Sequence, residues 1–92
     1  MKNTLHSLWL AAVLLLGGQL AWAMPENAVN VNAAPAEELA EVLVGVGIKR
    51  AEAIVEYREK FGDFEVAADL LSVRGIGEHV VETNRDKIHF SD

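Results

Sequence analysis

Two short stretches hold the residues best placed to do chemistry. Leu43 to Ile54 reads LVGVGIKRAEAI, and thirty residues after its start Val73 to Glu82 reads VRGIGEHVVE. Each contains a Gly-hydrophobic-Gly triplet: Gly45-Val46-Gly47 in the first, Gly75-Ile76-Gly77 in the second. The chemistry such a triplet offers is anion binding by the main chain. The first glycine ends a helix with a positive φ that other residues resist. Val46 or Ile76 plugs between the two helices and fixes their angle. The second glycine has no side chain, so an incoming group can approach the backbone. The next helix begins at once, and its unpaired N–H groups point outward at the positive end of the helix dipole. A phosphate oxygen fits there. Lys49 and Arg50 add positive charge after the first triplet, and Arg74 precedes the second. Such a device reads phosphates rather than bases, because it places no side chain for a groove edge.

Other chemistries find little support. His79 and His89 are ten apart with no partner at ligand spacing, so no metal site is read. Glu37 and Glu38 are neighbours, point different ways on a helix and make a poor acid–base pair. No Ser/His/Asp or Cys/His set is present. The expectation is a non-enzyme with no catalytic residue and no cofactor.

The elements that must position the two turns follow from periodicity. Pro35 suits the first turn of a helix, and Glu37 and Glu38 favour its positive end. Leu39, Val42 and Leu43 keep helical spacing, which predicts a first helix over about 35–44, ended by Gly45. Ile48, Ala51, Ile54, Val55 and Phe61 mark one face of a second helix over 48–61, closed by Gly62. Glu52, Glu56 and Glu59 form its solvated side. Phe64 is expected to plug the core, while Tyr57 packs at its rim. A third helix is expected over about 66–72, with Leu70 and Leu71, and a fourth over about 78–86, with Val80 and Val81. Val29 and Val31 alternate with Asn30 and Asn32, as in an extended segment laid along the surface; Ile88 and Phe90 alternate likewise. The prediction is an all-α domain in which no β-sheet is needed. At an offset of thirty, Leu43 meets Val73, Val46 meets Ile76 and Ala51 meets Val81. The repeat lies in the spacing of apolar positions rather than in overall identity.

The 92 residues hold at most one compact domain, and the first 23 are expected to lie outside it. Lys2 is followed by an apolar run from Leu5 to Leu16, and Ala21-Trp22-Ala23 fits a small-x-small cleavage rule. The run is shorter than the ~20 residues a spanning helix needs, so a cleaved signal peptide is expected and no stable membrane anchor remains. The expected organisation is a signal peptide over 1–23, an extended lead-in over 24–34 and a folded domain over 35–92. Past the leader, seven basic residues face fourteen acidic ones, a net charge of −7. There is no cysteine, so packing alone must hold a small core.

The segments GVGIKRAEAIVEYR and VRGIGEHVVETNRDKI resemble the paired helix-hairpin-helix motif. The similarity extends to VNVNAAPAEEL (Val29 to Leu39), YREKFGDF (Tyr57 to Phe64) and DLLSVRGIG (Asp69 to Gly77). That ordered set resembles the ComEA family of competence-associated DNA receptors, in its short, signal-peptide-bearing form. The resemblance implies a paired helix-hairpin-helix domain of about four short helices. It implies sequence-independent binding of double-stranded DNA, export to the periplasm and a part in DNA uptake. By motif position, Gly45, Val46, Gly47, Lys49 and Arg50 correspond to one phosphate site, and Gly75, Ile76 and Gly77 to a second. The class also allows a monovalent cation on the hairpin carbonyls.

The chain departs from that pattern in places. Pro35 and Val66 stand where members commonly carry Thr or Ser, which removes side-chain caps worth about 1 kcal/mol each. Glu78 and His79 stand where a basic residue would assist a phosphate; Arg74 offsets them in part. The first hairpin is therefore expected to contribute more than the second. Only a local basic face of Lys49, Arg50 and Arg74, with Lys87 as a possible fourth, can meet DNA on so acidic a chain. The competing expectation is a periplasmic protein–protein interaction module that kept the fold and lost DNA.

Overall fold

The computed structural model describes residues 27–92; the expected signal peptide lies outside the described residues. The order is β1 (Val29–Asn30), α1 (Ala36–Val42), α2 (Ile48–Phe61), a 3-10 helix (Ala67–Ser72), α3 (Glu78–Thr83), a second 3-10 helix (Arg85–Lys87) and β2 (Ile88–His89). The fold class is all-α, as the apolar spacing predicts.

Helix α2 runs over the predicted span. Its C-terminal residue is followed by Gly62 at φ 98°, a left-handed backbone that stops the helix. Helix α1 starts after Pro35, whose carbonyl accepts the amides of Glu38 and Leu39 at 3.1 Å each. No side chain caps it, as the loss of Thr or Ser implied. The third helix is a 3-10 helix, and the fourth is shorter than expected, with its tail rewound as 3-10 after Asn84. Val66 cannot cap the third helix with its side chain. The Asp69 carboxylate supplies part of what is missing, accepting the amides of Glu65 at 2.8 Å and Val66 at 3.1 Å.

The two triplets place equivalent residues in one core. Leu43 and Val73, Val46 and Ile76, and Ala51 and Val81 are all buried, joined by Leu39, Ile54, Leu70 and Phe64. Phe64 plugs the core as expected, and Tyr57 stacks on it at the rim with ring centroids 5.3 Å apart. Two other expectations fail. Ile48 and Phe61 are 46% and 65% exposed, although both fit the apolar face of α2 by spacing. Ile48 is the first helical residue, still on the turn, and Phe61 is the last. A helix of fourteen residues spans about 21 Å and outruns so small a core. Phe61 packs instead on Tyr57, centroids 4.7 Å apart, with the Lys60 ammonium 5.4 Å from its ring centre. Leu71 is likewise exposed, leaving Leu70 as the core residue of that helix.

The lead-in is not laid on the surface. Val29 and Val31 are fully buried, and β1 pairs in parallel with β2, Val29 opposite Ile88 and Asn30 opposite His89. This two-stranded bridge is small, but it adds apolar area that 35–92 alone lacks. The Asn32 side chain locks it in place. It donates to the carbonyls of Phe64 and Phe90 at 2.9 Å each and accepts the Phe64 amide at 2.7 Å. Arg58 on α2 donates to the Val31 carbonyl at 2.9 Å.

Candidate nucleic-acid interface

The two Gly-hydrophobic-Gly turns are one conformation used twice. Gly45 and Gly75 have φ of 80° and 90°, the left-handed region that favours glycine. The residues that precede the turns, Leu43 and Val73, match at φ/ψ −84/120° and −81/132°. Val46 donates to Leu43 O at 3.3 Å and Ile76 to Val73 O at 3.1 Å. Ala51 donates to Gly47 O at 2.9 Å and Val81 to Gly77 O at 3.2 Å. Every one of these pairs is offset by thirty residues, so the repeat read from spacing is a repeat of hydrogen bonds.

The turns also touch each other reciprocally. A Cβ built on Gly75 would meet Arg50 Cγ and Nε at 3.2 Å each, and one on Gly45 would meet Val80 Cγ2 at 3.8 Å. Residues 50 and 80 are equivalents under the same offset. Each hairpin thus sets the third residue of its second helix against the glycine of the other, the mark of a pseudo-twofold arrangement.

The second glycines behave differently. Gly47 and Gly77 are extended, at φ −76° and −106°, and a Cβ on either meets nothing within 4 Å. Neither backbone strain nor packing within the protein calls for glycine there. The open space lies where the chain turns into α2 and α3. Neither helix has a side-chain cap, and the first amides to find a carbonyl are those of Ala51 and Val81. The amides of Ile48, Lys49 and Arg50, and of Glu78, His79 and Val80, precede that first bond.

The charges near the turns are unequal. Lys49, Arg50 and Arg74 are exposed, as are Glu78 and His79 at the start of α3. Lys87 is half-buried in the second 3-10 helix rather than on either turn. Arg58 donates to the Val31 carbonyl, and Arg85 pairs with Glu82 on the surface. The Arg85 guanidinium holds the Glu82 carboxyl below the usual carboxylate range, by hydrogen bond first and by charge second. The amides of Glu65 and Val66 do the same for Asp69. A monovalent cation at the first turn would share its carbonyls with donors already in place. The carbonyls of Leu43, Val44 and Gly45 accept from Val46, Asn84 and Arg50 respectively, and the last donor is itself a cation. Among the described residues, no three His, Asp or Glu side chains group as a metal site, and no helix is long and apolar enough to cross a membrane.

Sequence reasoning missed Asn84. Its side chain is buried and accepts the Val44 amide at 2.8 Å while donating to the carbonyls of Val44 and Val80 at 2.8 Å each. A polar residue at the position equivalent to the core residue Ile54 was the available signal.

This paired-turn geometry defines the class, and comparison with known proteins agrees. Residues 25–89 match the family model described as the helix-hairpin-helix motif, and the chain belongs to that family. It is 45% identical over 60 residues to ComE operon protein 1 of Bacillus subtilis, a span of 65% of this chain and 29% of that protein, which bears out the ComEA-type resemblance. It is 50% identical over 72 residues to an uncharacterized protein of Haemophilus influenzae, covering 78% of this chain and 64% of that one. The chain therefore spans less than two thirds of the length of either relative.

Proposed function

We propose that this chain binds double-stranded DNA without sequence preference, through the sugar–phosphate backbone, and serves DNA uptake in the periplasm after its leader is removed. The carrying observation is the empty space at Gly47 and Gly77, beside helix starts that no side chain caps. Neither strain nor packing requires glycine at these positions, and the open space beside them lets an external group approach the main chain. The pseudo-twofold pairing presents two such cradles, suited to the two strands of a duplex across its minor groove. Gly45, Val46, Gly47, Lys49 and Arg50 form the first cradle; Arg74, Gly75, Ile76 and Gly77 form the second.

Affinity is set by few contacts. Roughly three or four neutralised phosphates predict micromolar or weaker binding per domain, with a log–log salt slope of about −3. Retention of a long duplex then rests on many copies along it. Unrelated duplexes titrated at several salt concentrations test the proposal. The shift should fade with salt, be independent of sequence and weaken in Lys49→Glu and Gly47→Val. No shift at low salt and high micromolar protein would end it.

One observation favours a second reading. Glu78 is exposed at the first position of α3, where a carboxylate repels phosphate. A domain whose second turn meets a protein partner would tolerate it. A periplasmic partner bound equally by wild type and Lys49→Glu, with DNA binding absent, would select that reading.

A further inference from the structure

We propose that Arg50 serves both turns, and that the second cradle takes a cation from the first hairpin in addition to its own Arg74. This rests on the DNA-binding reading above and adds to it a division of labour within the site. By sequence, Arg50 belongs to α2 and to the first turn. Its side chain does not stay there. Nη1 donates to the Gly45 carbonyl at 3.3 Å, while Cγ and Nε lie 3.2 Å from the Cβ position of Gly75. One side chain therefore spans the seam between both left-handed glycines. Its equivalent, Val80, makes the reciprocal contact with Gly45 but carries no charge. The pseudo-symmetry of the backbone is broken at this point, and the guanidinium at this contact belongs to the first hairpin.

The asymmetry matches a deficit. The first helix start is followed by Lys49 and Arg50, the second by Glu78 and His79. A guanidinium has five donors in a rigid fork, and only one bond to protein is formed here. The rest are left for a ligand that bridges the turns. Arg50 thereby supplies the charge that Glu78 subtracts, and it holds the two turns at a fixed separation. Gly75 gains a second reason to be glycine, since a Cβ there would crowd Arg50, which would have to give way by a few tenths of an ångström.

Two measurements test this. In the 15N–1H spectrum of the protein without DNA, Arg50→Met should move the Gly75 and Ile76 amide resonances well beyond any change caused by Lys49→Met. Unmoved resonances would refute the contact. In duplex titrations, Glu78→Gln should raise affinity by about threefold more in the Arg50→Met background than in wild type, because the carboxylate then stands uncompensated. Equal gains in both backgrounds would overturn the shared role, even with the spectral shift present. If wild type binds no duplex, the DNA-binding reading falls and the shared role falls with it, whatever the spectra show. Melting curves of each variant separate lost folding from lost binding.

Discussion

Asn84 holds Val44 by both its amide and its carbonyl, each at 2.8 Å, so a buried side chain at the end of α3 grips the first turn across forty residues. The same amide group also closes the end of its own helix on Val80. The turn is thus held from the other hairpin as well as by its own flanking residues.

Asn84→Ala is expected to destabilise the fold by about 2–3 kcal/mol, since it empties a buried polar site and removes the partners of the Val44 amide and carbonyl. For a domain of this size that is a fall in Tm of roughly 10–20 °C. Asn84→Asp should do no better, because it keeps the acceptor but removes both donors. Urea unfolding would show it; a midpoint within error of wild type contradicts the assignment.

The two glycines of one triplet should respond unequally. Gly45→Ala places a Cβ on a residue at φ 80° and should cost about 1–2 kcal/mol. Gly47 is extended and faces open space, so Gly47→Ala should cost only about 0.5 kcal/mol through helix capping. Paired denaturation curves read the difference, and equal losses would show that Gly47 has a structural role not visible here.

The two phenylalanines that flank Gly62 should also part company. Phe64→Ala empties the centre of a small core and is expected to cost about 3–5 kcal/mol, enough to unfold much of the population. Phe61→Ala removes an exposed ring resting on Tyr57 and should cost under about 1 kcal/mol. Circular dichroism of the two variants at 25 °C separates them directly.

Acid should weaken the fold through Asp69. Its carboxyl is held low by the Glu65 and Val66 amides. A depressed value means the stabilisation is full above the ordinary unfolded value of about 3.9 and is lost as pH falls through the folded value. Asp69→Asn should flatten that acid limb without abolishing it, because Glu82 with Arg85 contributes in the same direction. Urea midpoints from pH 7 down to pH 2 give the comparison; parallel curves would remove Asp69 from the account.

What could be read in advance was local. Helical periodicity placed α2 to the residue, and glycine chemistry placed the left-handed positions at Gly45, Gly62 and Gly75. What could not be read depends on distant partners. Spacing puts Ile48 and Phe61 on the apolar face of α2, but only the extent of the core shows that both lie past its edges. Asn32 and Asn84 look like ordinary polar residues, because nothing near them in sequence names the carbonyls they reach. Val29 and Val31 gave the right alternation and the wrong surroundings, since their partners, Ile88 and His89, lie at the far end of the chain. For the site, Lys49 and the glycines stand where the triplets put them, whereas the reach of Arg50 to Gly75 appears only once the two hairpins are packed together.

The parallel bridge has a topological consequence. Val29 beside Ile88, with Asn32 tied to Phe90, brings the first and last described segments to one place and turns the domain into a nearly closed ring. A ring of this kind can be cut elsewhere. Joining its two ends through a short flexible link and reopening the chain in the exposed Gly62-Asp63 connector should yield a circular permutant with the same pair of turns and relocated termini. A surface or reporter attached at those new ends would then approach the domain from the connector instead of from the clasp.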